Sequence, residues 1–260
     1  MNRLSPLNNL SPLGGVVNST QQFCSYDLNG TDAYINYGDI LNSVLTGVNK
    51  TFTITAIVKR GSVGTNQYIF SKWNGGDNNR SFAVQFLAAN TIQVLFSNNG
   101  SAATDYNVTT ATFTNTTDFY MISVKADMSV GDWSSVKVNI NGIDSPFSSP
   151  SGSIGKTIYA GDAEVRLGAV ESGGGSLIRF FDGLFNDIAV YNTYVSDGDL
   201  LARYNGGNIL GAETISGMVW GSNFNNDAWN GSEYDVIDNV GSDDGITVNV
   251  LENEKLCVSV

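Results

Sequence analysis

Apolar and polar residues alternate along most of the chain between residues 23 and 191. In residues 51–59, Phe52, Ile54, Ala56 and Val58 are apolar, and most of the positions between them are threonine. Segments 67–73, 81–87, 91–97, 119–126, 136–140 and 184–191 alternate in the same way. Alternation that leaves one apolar face is typical of antiparallel strands packed on a shared core. The pattern therefore predicts an all-β fold, an antiparallel β-sandwich jelly roll.

Two local signals predict a turn and a helix. Asn141 and Gly142 stand between two strand-like segments and favour a two-residue hairpin. Ser196, with Asp199 three residues later, is a helix N-cap signal, and apolar residues with helical spacing follow it. We therefore expect one short helix near residues 196–205.

Both ends of the chain differ from the alternating region. Residues 1–22 carry four leucines separated by Pro and Asn, and Pro6 and Pro12 exclude a continuous helix. We expect an extended arm that docks on its own domain or on a neighbouring subunit. Residues 208–260 are too few to bury a core of their own. We expect them to add strands to the sandwich of residues 23–207 or to that of a neighbouring subunit.

Composition and charge exclude several classes of function. The chain has 13 Lys and Arg against 25 Asp and Glu, a formal net charge of −12, which argues against nucleic-acid binding. It has no His, which removes Ser-His-Asp and Cys-His catalysis and nearly all zinc sites. No apolar run approaches the length of a signal peptide or a membrane span, so we expect a product made in the cytoplasm, with no membrane insertion.

Seven motifs, taken in order, resemble a known family. They are YDLNGTDAYINYGD (26–39), KTFTITAIVKRG (50–61), YIFSKW (68–73), KVNINGI (137–143), EVRLGA (164–169), FFDGLFNDIAVYN (180–192) and VSDGDLLARYNGG (195–207). Together they resemble a laminin-G-like domain of the concanavalin A-like lectin/glucanase superfamily over about residues 23–207. The resemblance implies the jelly-roll fold, whereas one fold supports many functions.

The tail resembles a different part of such a domain. Residues 220–250 are similar to the segment that normally opens it, here placed after the domain. Either the sandwich is circularly permuted or the tail completes a neighbouring protomer. If it is permuted, Cys24 and Cys257 lie on strands that could be adjacent, and a disulfide could form. For a cytoplasmic product we expect two free, buried thiols instead.

Whether the chain is predicted to be an enzyme depends on whether it carries a catalytic pair of carboxylates. Glucanases of the superfamily carry Glu-x-Asp-x-x-Glu on one strand, and this chain has no such run. Glu164 and Glu171 are seven residues apart, and we expect them at exposed strand ends. The chain is therefore predicted to be non-enzymatic, with glycan hydrolysis as a remote alternative.

The resemblance also implies a possible calcium site, although no other cofactor is expected. Members of the family often bind calcium through an acidic pair and through the opening loop, since hard cations take oxygen ligands. The corresponding residues here are Asn186, Asp187, Asp238, Asn239 and Asp243. Asn186 replaces an expected aspartate and removes one charge. The alternative is that Asp187 caps a turn and that the later residues form a solvated loop.

Two loops combine tryptophan with amides and charged groups, as sugar sites do. The candidate carbohydrate-binding residues are Trp73, Asn74, Asp77, Asn78, Arg80, Trp229 and Asn230. The alternative for Trp73 is that it ends a strand and covers the core.

These observations predict a non-enzymatic virion structural protein, a phage head decoration or a tail or fibre component. Its lectin-like domain would attach to host-surface glycans. Its expected partners are other virion subunits in a homo-oligomer. The alternative is a stand-alone bacterial carbohydrate-binding lectin, located outside the cell or on its surface.

Overall fold

The computed structural model of the protein describes residues 22–101, 105–148 and 150–259. The predicted arm, residues 1–22, lies outside the described residues except for Gln22. Most of the regular structure is β-strand. In chain order the strands are β1 (Gln22–Asn29), β2 (Tyr34–Asn36), β3 (Gly47–Val48), β4 (Thr51–Arg60), β5 (Gln67–Asn74), β6 (Asn79–Phe86), β7 (Ile92–Phe96), β8 (Asp105–Val108), β9 (Tyr120–Asp127), β10 (Val136–Ile140), β11 (Ile143–Ser145), β12 (Thr157–Ile158), β13 (Val165–Leu167), β14 (Val170–Gly173), β15 (Ser176–Ile178), β16 (Asp182–Tyr191), β17 (Met218–Ser222), β18 (Ala228–Trp229), β19 (Tyr234–Val236), β20 (Gly245–Val248) and β21 (Lys255–Ser259).

The strands form two large sheets. The eight-stranded sheet has the order β11-β10-β9-β4-β16-β1-β21, and β17 pairs with the half of β16 that β1 leaves free. The eleven-stranded sheet has the order β18-β19-β20-β2-β13-β5-β6-β7-β8, with the hairpin β14–β15 attached to β5. A short ladder joins β3 and β12. The pairing is antiparallel apart from one parallel bridge between β14 and β5.

The two sheets enclose one apolar core. Phe52, Ile54, Ala56 and Val58 of β4 are all buried in it, as their alternation predicts. The Phe52 ring meets Phe82 of the opposite sheet edge-to-face, with ring centroids 5.6 Å apart. The predicted all-β antiparallel sandwich is therefore confirmed.

The predicted hairpin and helix are both present. Asn141 and Gly142 connect β10 to β11, with φ angles of 54° and 82° that suit a primed two-residue turn. Helix α2 (Asp197–Tyr204) follows Ser196, whose Oγ accepts a hydrogen bond from the Asp199 N–H at 3.1 Å. It lies on the outer face of the eight-stranded sheet.

Among the described residues there is one further short α-helix, which the sequence does not signal. Helix α1 (Asn42–Leu45) is a single turn without a side-chain cap. No helix in the described part of the chain is long and apolar enough to cross a membrane.

The C-terminal segment pairs with strands of its own chain. β17 lies beside β16, β20 beside β2, and β21 beside β1. Residues 208–260 thus contribute to both sheets of the same sandwich, and β21 brings the end of the described chain beside its beginning.

The two cysteines meet through this last pairing. Cys24 of β1 and Cys257 of β21 are directly opposite each other, and they form a disulfide bond. The expectation of two free, buried thiols is therefore wrong. Cys24 is fully buried, but Cys257 is exposed. The bond follows from the register of β1 and β21, which places two cysteines 233 positions apart in the sequence opposite each other.

Candidate functional site

A polar cavity of about 490 Å³ lies on the outer face of the eleven-stranded sheet, where β13 runs beside β5. Val165 and Leu167 of β13 point into the core, so Arg166 between them points outward. The wall consists of Asn74, Asp77, Asn79, Tyr159, Asp162, Ala163, Glu164, Arg166 and Glu171.

Arg166 is the cation at the centre of this wall. It is 6% exposed, and its Nη2 forms ion pairs with Glu164 and, at 3.0 Å, with Glu171. Its Nε and Nη1 are buried without a protein acceptor. Buried N–H groups without a protein acceptor call for ordered water or another bound group. The guanidinium therefore holds two carboxylates in place and keeps unused hydrogen-bonding capacity.

Amide side chains also donate hydrogen bonds to these two carboxylates. Asn36 of β2 donates from Nδ2 to Glu164 at 3.1 Å. Asn74 of β5 donates from Nδ2 to Glu171 at 2.7 Å and to Asp77 at 3.0 Å. Three adjacent strands and a hairpin thus hold one network of planar polar groups before any ligand arrives.

Two tyrosines flank the network. Tyr159 forms part of the cavity wall, and Tyr34 lies on the same outer face of β2 as Asn36. Burial raises the pKa of Tyr34, with a smaller opposing effect from Arg166. Aromatic rings beside planar polar groups supply apolar surface for the C–H faces of sugars.

Close backbone contact attaches the hairpin β14–β15 to the β5–β6 turn. The Gly75 N–H donates to the carbonyl of Glu171 at 2.8 Å. A Cβ on Gly76 would lie 2.3 Å from the Cα of Gly173. Because the overlapping atoms belong to the backbone, no side-chain movement could relieve the overlap. Glycine at position 76 therefore allows the approach that brings Glu171 to Arg166.

Gly76→Ala should lower the free energy of unfolding by about 1–3 kcal/mol, because the added methyl group overlaps the hairpin backbone. Gly198→Ala is the matched control: its new Cβ would lie 3.7 Å from its nearest neighbour, Ser196 Oγ. This control should leave stability unchanged or raise it by less than about 1 kcal/mol. Urea denaturation measures both, and equal effects would contradict the packing described here.

Sequence reasoning missed the centre of this site. Glu164 and Glu171 were expected at exposed strand ends. This is wrong for Glu171, which lies within β14, is 9% exposed and binds Arg166. Glu164 does directly precede β13, and its partly exposed side chain also binds Arg166. The alternation of residues 164–166 does place Glu164 and Arg166 on one face of a strand. Nothing local indicates that β14 returns beside β5 and adds Glu171.

Of the first predicted sugar-binding loop, Asn74 and Asp77 line the cavity. Trp73 does not offer an exposed ring. It is 6% exposed and packs with Tyr68, Leu95 and Val170 on the outer face of the sheet. The prediction of a sugar-stacking role is therefore wrong for Trp73, because the hairpin β14–β15 covers it.

Arg80 and Asn78 fasten this loop to its neighbour. The Arg80 guanidinium donates to the Asn78 Oδ1 at 3.3 Å and to the carbonyl of Gly100 at 3.2 Å. It also donates to the carbonyls of Gly75 and Ser101. Its hydrogen bonds are used within the protein, so its contribution to the cavity is to hold the loop in shape.

The second predicted loop lies elsewhere on the sheet. Trp229 is half-buried, and its ring centroid lies 5.0 Å from that of Tyr234. Asn230 accepts backbone hydrogen bonds from Ser232 and Glu233, as in an Asx turn. Strands β20, β2 and β13 separate β19 from β5, which at about 4.8 Å per strand amounts to roughly 19 Å. The two loops therefore do not form one site.

Asn186 and Asp187, at the position of the family's acidic pair, both have protein partners. Asp187 is buried and forms an ion pair of 2.7 Å with Arg203 of α2. Asn186 donates from Nδ2 to the carbonyl of Cys24 at 2.8 Å. Asp187 is therefore bound to a guanidinium, which would compete with a cation.

The loop predicted to complete that site is also bonded internally. Asp238 accepts backbone hydrogen bonds from residues 221, 240 and 241. Asn239 accepts one from Asn223, and the carbonyl of Asp243 accepts one from the Trp220 indole. The described residues contain no group of three or more His, Cys, Asp or Glu that could hold a metal. Calcium binding stays a prediction, and this geometry gives it no support.

The sandwich is that of a lectin-like domain. Residues 29–200 match the family model Laminin_G_3, described as the concanavalin A-like lectin/glucanases superfamily. This match covers more than half of the sequence, and the chain belongs to the concanavalin A-like lectin/glucanase superfamily. The family predicted from the seven motifs is thus confirmed. No curated protein matches the chain.

Several solved structures share the fold. A Bacteroides ovatus protein that is proposed to bind carbohydrate aligns with a TM-score of 0.62 and 14% identity, over 92% of this chain and 60% of that one. A heptameric SAP-like pentraxin from Limulus polyphemus aligns with a TM-score of 0.50 and 14% identity, over 86% and 95%. The CBM40 of Ruminococcus gnavus IT-sialidase, bound to α2,3-sialyllactose, aligns with a TM-score of 0.50 and 18% identity, over 70% and 97%. At these identities the likeness shows the fold alone.

Proposed function

We propose that this chain is a non-catalytic carbohydrate-binding domain whose binding site is the cavity around Arg166. The observation that carries the proposal is the pre-formed network on the outer sheet face, in which one buried guanidinium and two amides hold two carboxylates. Binding sites are concave and carry a few fixed polar groups. The names of two neighbours in fold, a carbohydrate-binding protein and a sialidase module, agree with this function.

The arrangement suits sugar hydroxyls. Glu164 is 41% exposed at its side chain and can accept hydrogen bonds from hydroxyl groups of a ligand in the cavity. Tyr159 on the wall supplies a ring against which the C–H face of a sugar could pack. Because the amides and Arg166 already fix these groups, little ordering is needed when a ligand binds.

The carboxylates do not suit hydrolysis. Retaining and inverting glycosidases need one of two carboxyl groups protonated, so that it can donate to the leaving group. Here Glu164 and Glu171 are both ion-pair partners of the same guanidinium. This supports a binding function rather than glycan cleavage.

Glu164→Ala should weaken glycan binding about 10–100-fold, because hydrogen bonds to a charged group contribute about 1.5–3 kcal/mol each. The ligand is first identified with the full chain on a printed glycan array, and affinities are then measured by calorimetry. Glu213→Ala is the matched control, since Glu213 is an exposed carboxylate at the other sheet. Binding that resists Glu164→Ala, or that falls equally in both variants, would move the site elsewhere. A wild-type chain that binds no glycan would overturn the proposed function.

The disulfide supports a location outside the reducing cytoplasm, because such bonds persist in secreted proteins and on cell and virion surfaces. A virion surface, with adhesion to host glycans, is therefore the second and finer candidate. Within the single chain, the tail strands β17, β20 and β21 pair with β16, β2 and β1. Light scattering on the full-length chain separates the candidates: a symmetric multimer favours a virion component, and a monomer favours a free lectin.

A further inference from the structure

We infer that the cavity around Arg166 selects uncharged, hydroxyl-rich sugar units and rejects sugars that carry a carboxylate or sulfate. The inference rests on the proposed carbohydrate-binding function and adds the class of ligand. Four carboxylates and one guanidinium line the cavity, so acidic groups exceed basic ones on its wall.

The position of each charge strengthens this imbalance. Asp77 and Asp162 are exposed at the cavity, and Glu164 is partly exposed. Arg166 is 6% exposed, and its Nη2 is shared between Glu164 and Glu171. A ligand entering from solvent therefore meets carboxylate oxygens before it meets the guanidinium.

A second cation lies nearby but does not face the cavity. Lys72 is buried, pairs with Asp39 at 2.6 Å and donates to the carbonyl of Ala163 at 2.7 Å. Its position on β5 opposite Val165 turns it toward the core side of the sheet. It therefore does not offset the carboxylates for an incoming anion.

The same groups favour a neutral sugar. Carboxylates accept hydrogen bonds and cannot donate them when ionised, so they pair with hydroxyl donors. The Nε and Nη1 of Arg166 have no protein acceptor but are buried, so they do not present an accessible positive charge to an incoming anion. The whole chain, at −12, adds a long-range field that disfavours anions and weakens with salt.

This class of ligand differs from that of one neighbour in fold. The Ruminococcus gnavus module was solved with α2,3-sialyllactose, an acidic sugar, but its 18% identity to this chain shows the fold alone. The charges on the cavity wall, and not the shared fold, set the expectation.

The test uses an array that carries neutral oligosaccharides beside sialylated, uronate-containing and sulfated ones. The full-length chain should bind a neutral glycan and bind its acidic counterpart at least about 10-fold more weakly in low salt. The double variant Asp77→Asn with Asp162→Asn removes two wall charges with little change in shape. It should reduce the affinity gap, which is the ratio of the affinity for the neutral glycan to that for its acidic counterpart, several-fold. High salt should narrow the gap in the wild-type chain.

The matched control is Asp118→Asn with Asp132→Asn, two exposed aspartates in the turns on either side of β9. It removes the same net charge away from the cavity and should leave the gap nearly unchanged. Equal or tighter binding of acidic glycans, lost in Glu164→Ala, would overturn the inference while the proposed function stands. If both double variants reduce the affinity gap equally, the selectivity comes from the net charge of the chain and not from the cavity wall, and the inference is also overturned. Binding of no glycan at all would overturn the proposed function itself.

Discussion

Replacing both cysteines, as Cys24→Ala with Cys257→Ser, should lower the free energy of unfolding by roughly 3–5 kcal/mol. The disulfide joins residues 233 positions apart, so in the chain-entropy model it removes much of the freedom of the unfolded chain. It also fastens β21 to β1, through which the C-terminal segment closes the eight-stranded sheet. Ala at position 24 avoids placing a hydroxyl where the side chain is fully buried.

Reduction provides the control for this experiment. Urea denaturation of the wild-type chain in a strong thiol reductant should reach the stability of the double variant, and the reductant should leave the variant unchanged. If reduction shifts the variant as much as the wild type, the effect does not come from this bond. If the wild-type chain contains two free thiols by thiol titration, the pairing itself is wrong.

Asp187→Asn should lower the free energy of unfolding by about 3–5 kcal/mol, because it leaves the buried guanidinium of Arg203 without its carboxylate. Arg203 is 1% exposed and bonds Asp187 at 2.7 Å, the carbonyl of Leu210 at 3.1 Å and the hydroxyl of Thr55. These bonds anchor α2 and the segment after it to the outer face of the eight-stranded sheet. Burial raises the pKa of Asp187, and Arg203 opposes that shift.

An exposed ion pair serves as the comparison. Lys137 and Asp144 lie 2.6 Å apart, with about two fifths of each side chain exposed. Asp144→Asn should therefore cost less than about 1 kcal/mol. Adding Arg203→Met to Asp187→Asn should recover part of the loss, because it removes the unpaired charge. Equal losses in Asp187→Asn and Asp144→Asn would show that the buried pair is not important for stability.

The sandwich could be predicted because its signals repeat within each strand. Phe52 to Val58 and Phe82 to Phe86 alternate with polar or small residues, and each apolar set lies in the core. The hairpin at Asn141 and the helix after Ser196 depend on residues within one turn of each other. Such local patterns can be recognised without knowing which strands pair.

The candidate site could be predicted only in part. Asn74 and Asp77 were found because a turn gathers polar residues close together in the sequence. Trp73 was assigned a ligand-binding role because its loop combines tryptophan with amides and charged groups. The sequence gives no sign that a hairpin from residues 170–178 covers the ring. Asp187 was assigned to calcium because the family resemblance implies an acidic pair at that position. Nothing local in the sequence shows that Arg203, from a helix that packs on the sheet, pairs with Asp187 instead.

The sequence by itself determined the all-β class, the positions of most of the longer strands, the hairpin at Asn141, the N-cap of the helix after Ser196 and the family. Tertiary structure alone decided that Cys24 meets Cys257, that the tail closes its own sandwich, and that Arg166 gathers Glu164 and Glu171. The physical reason is the range of the interactions. Alternation and capping arise between neighbours in the chain, whereas these contacts depend on the order and register of strands far apart in sequence.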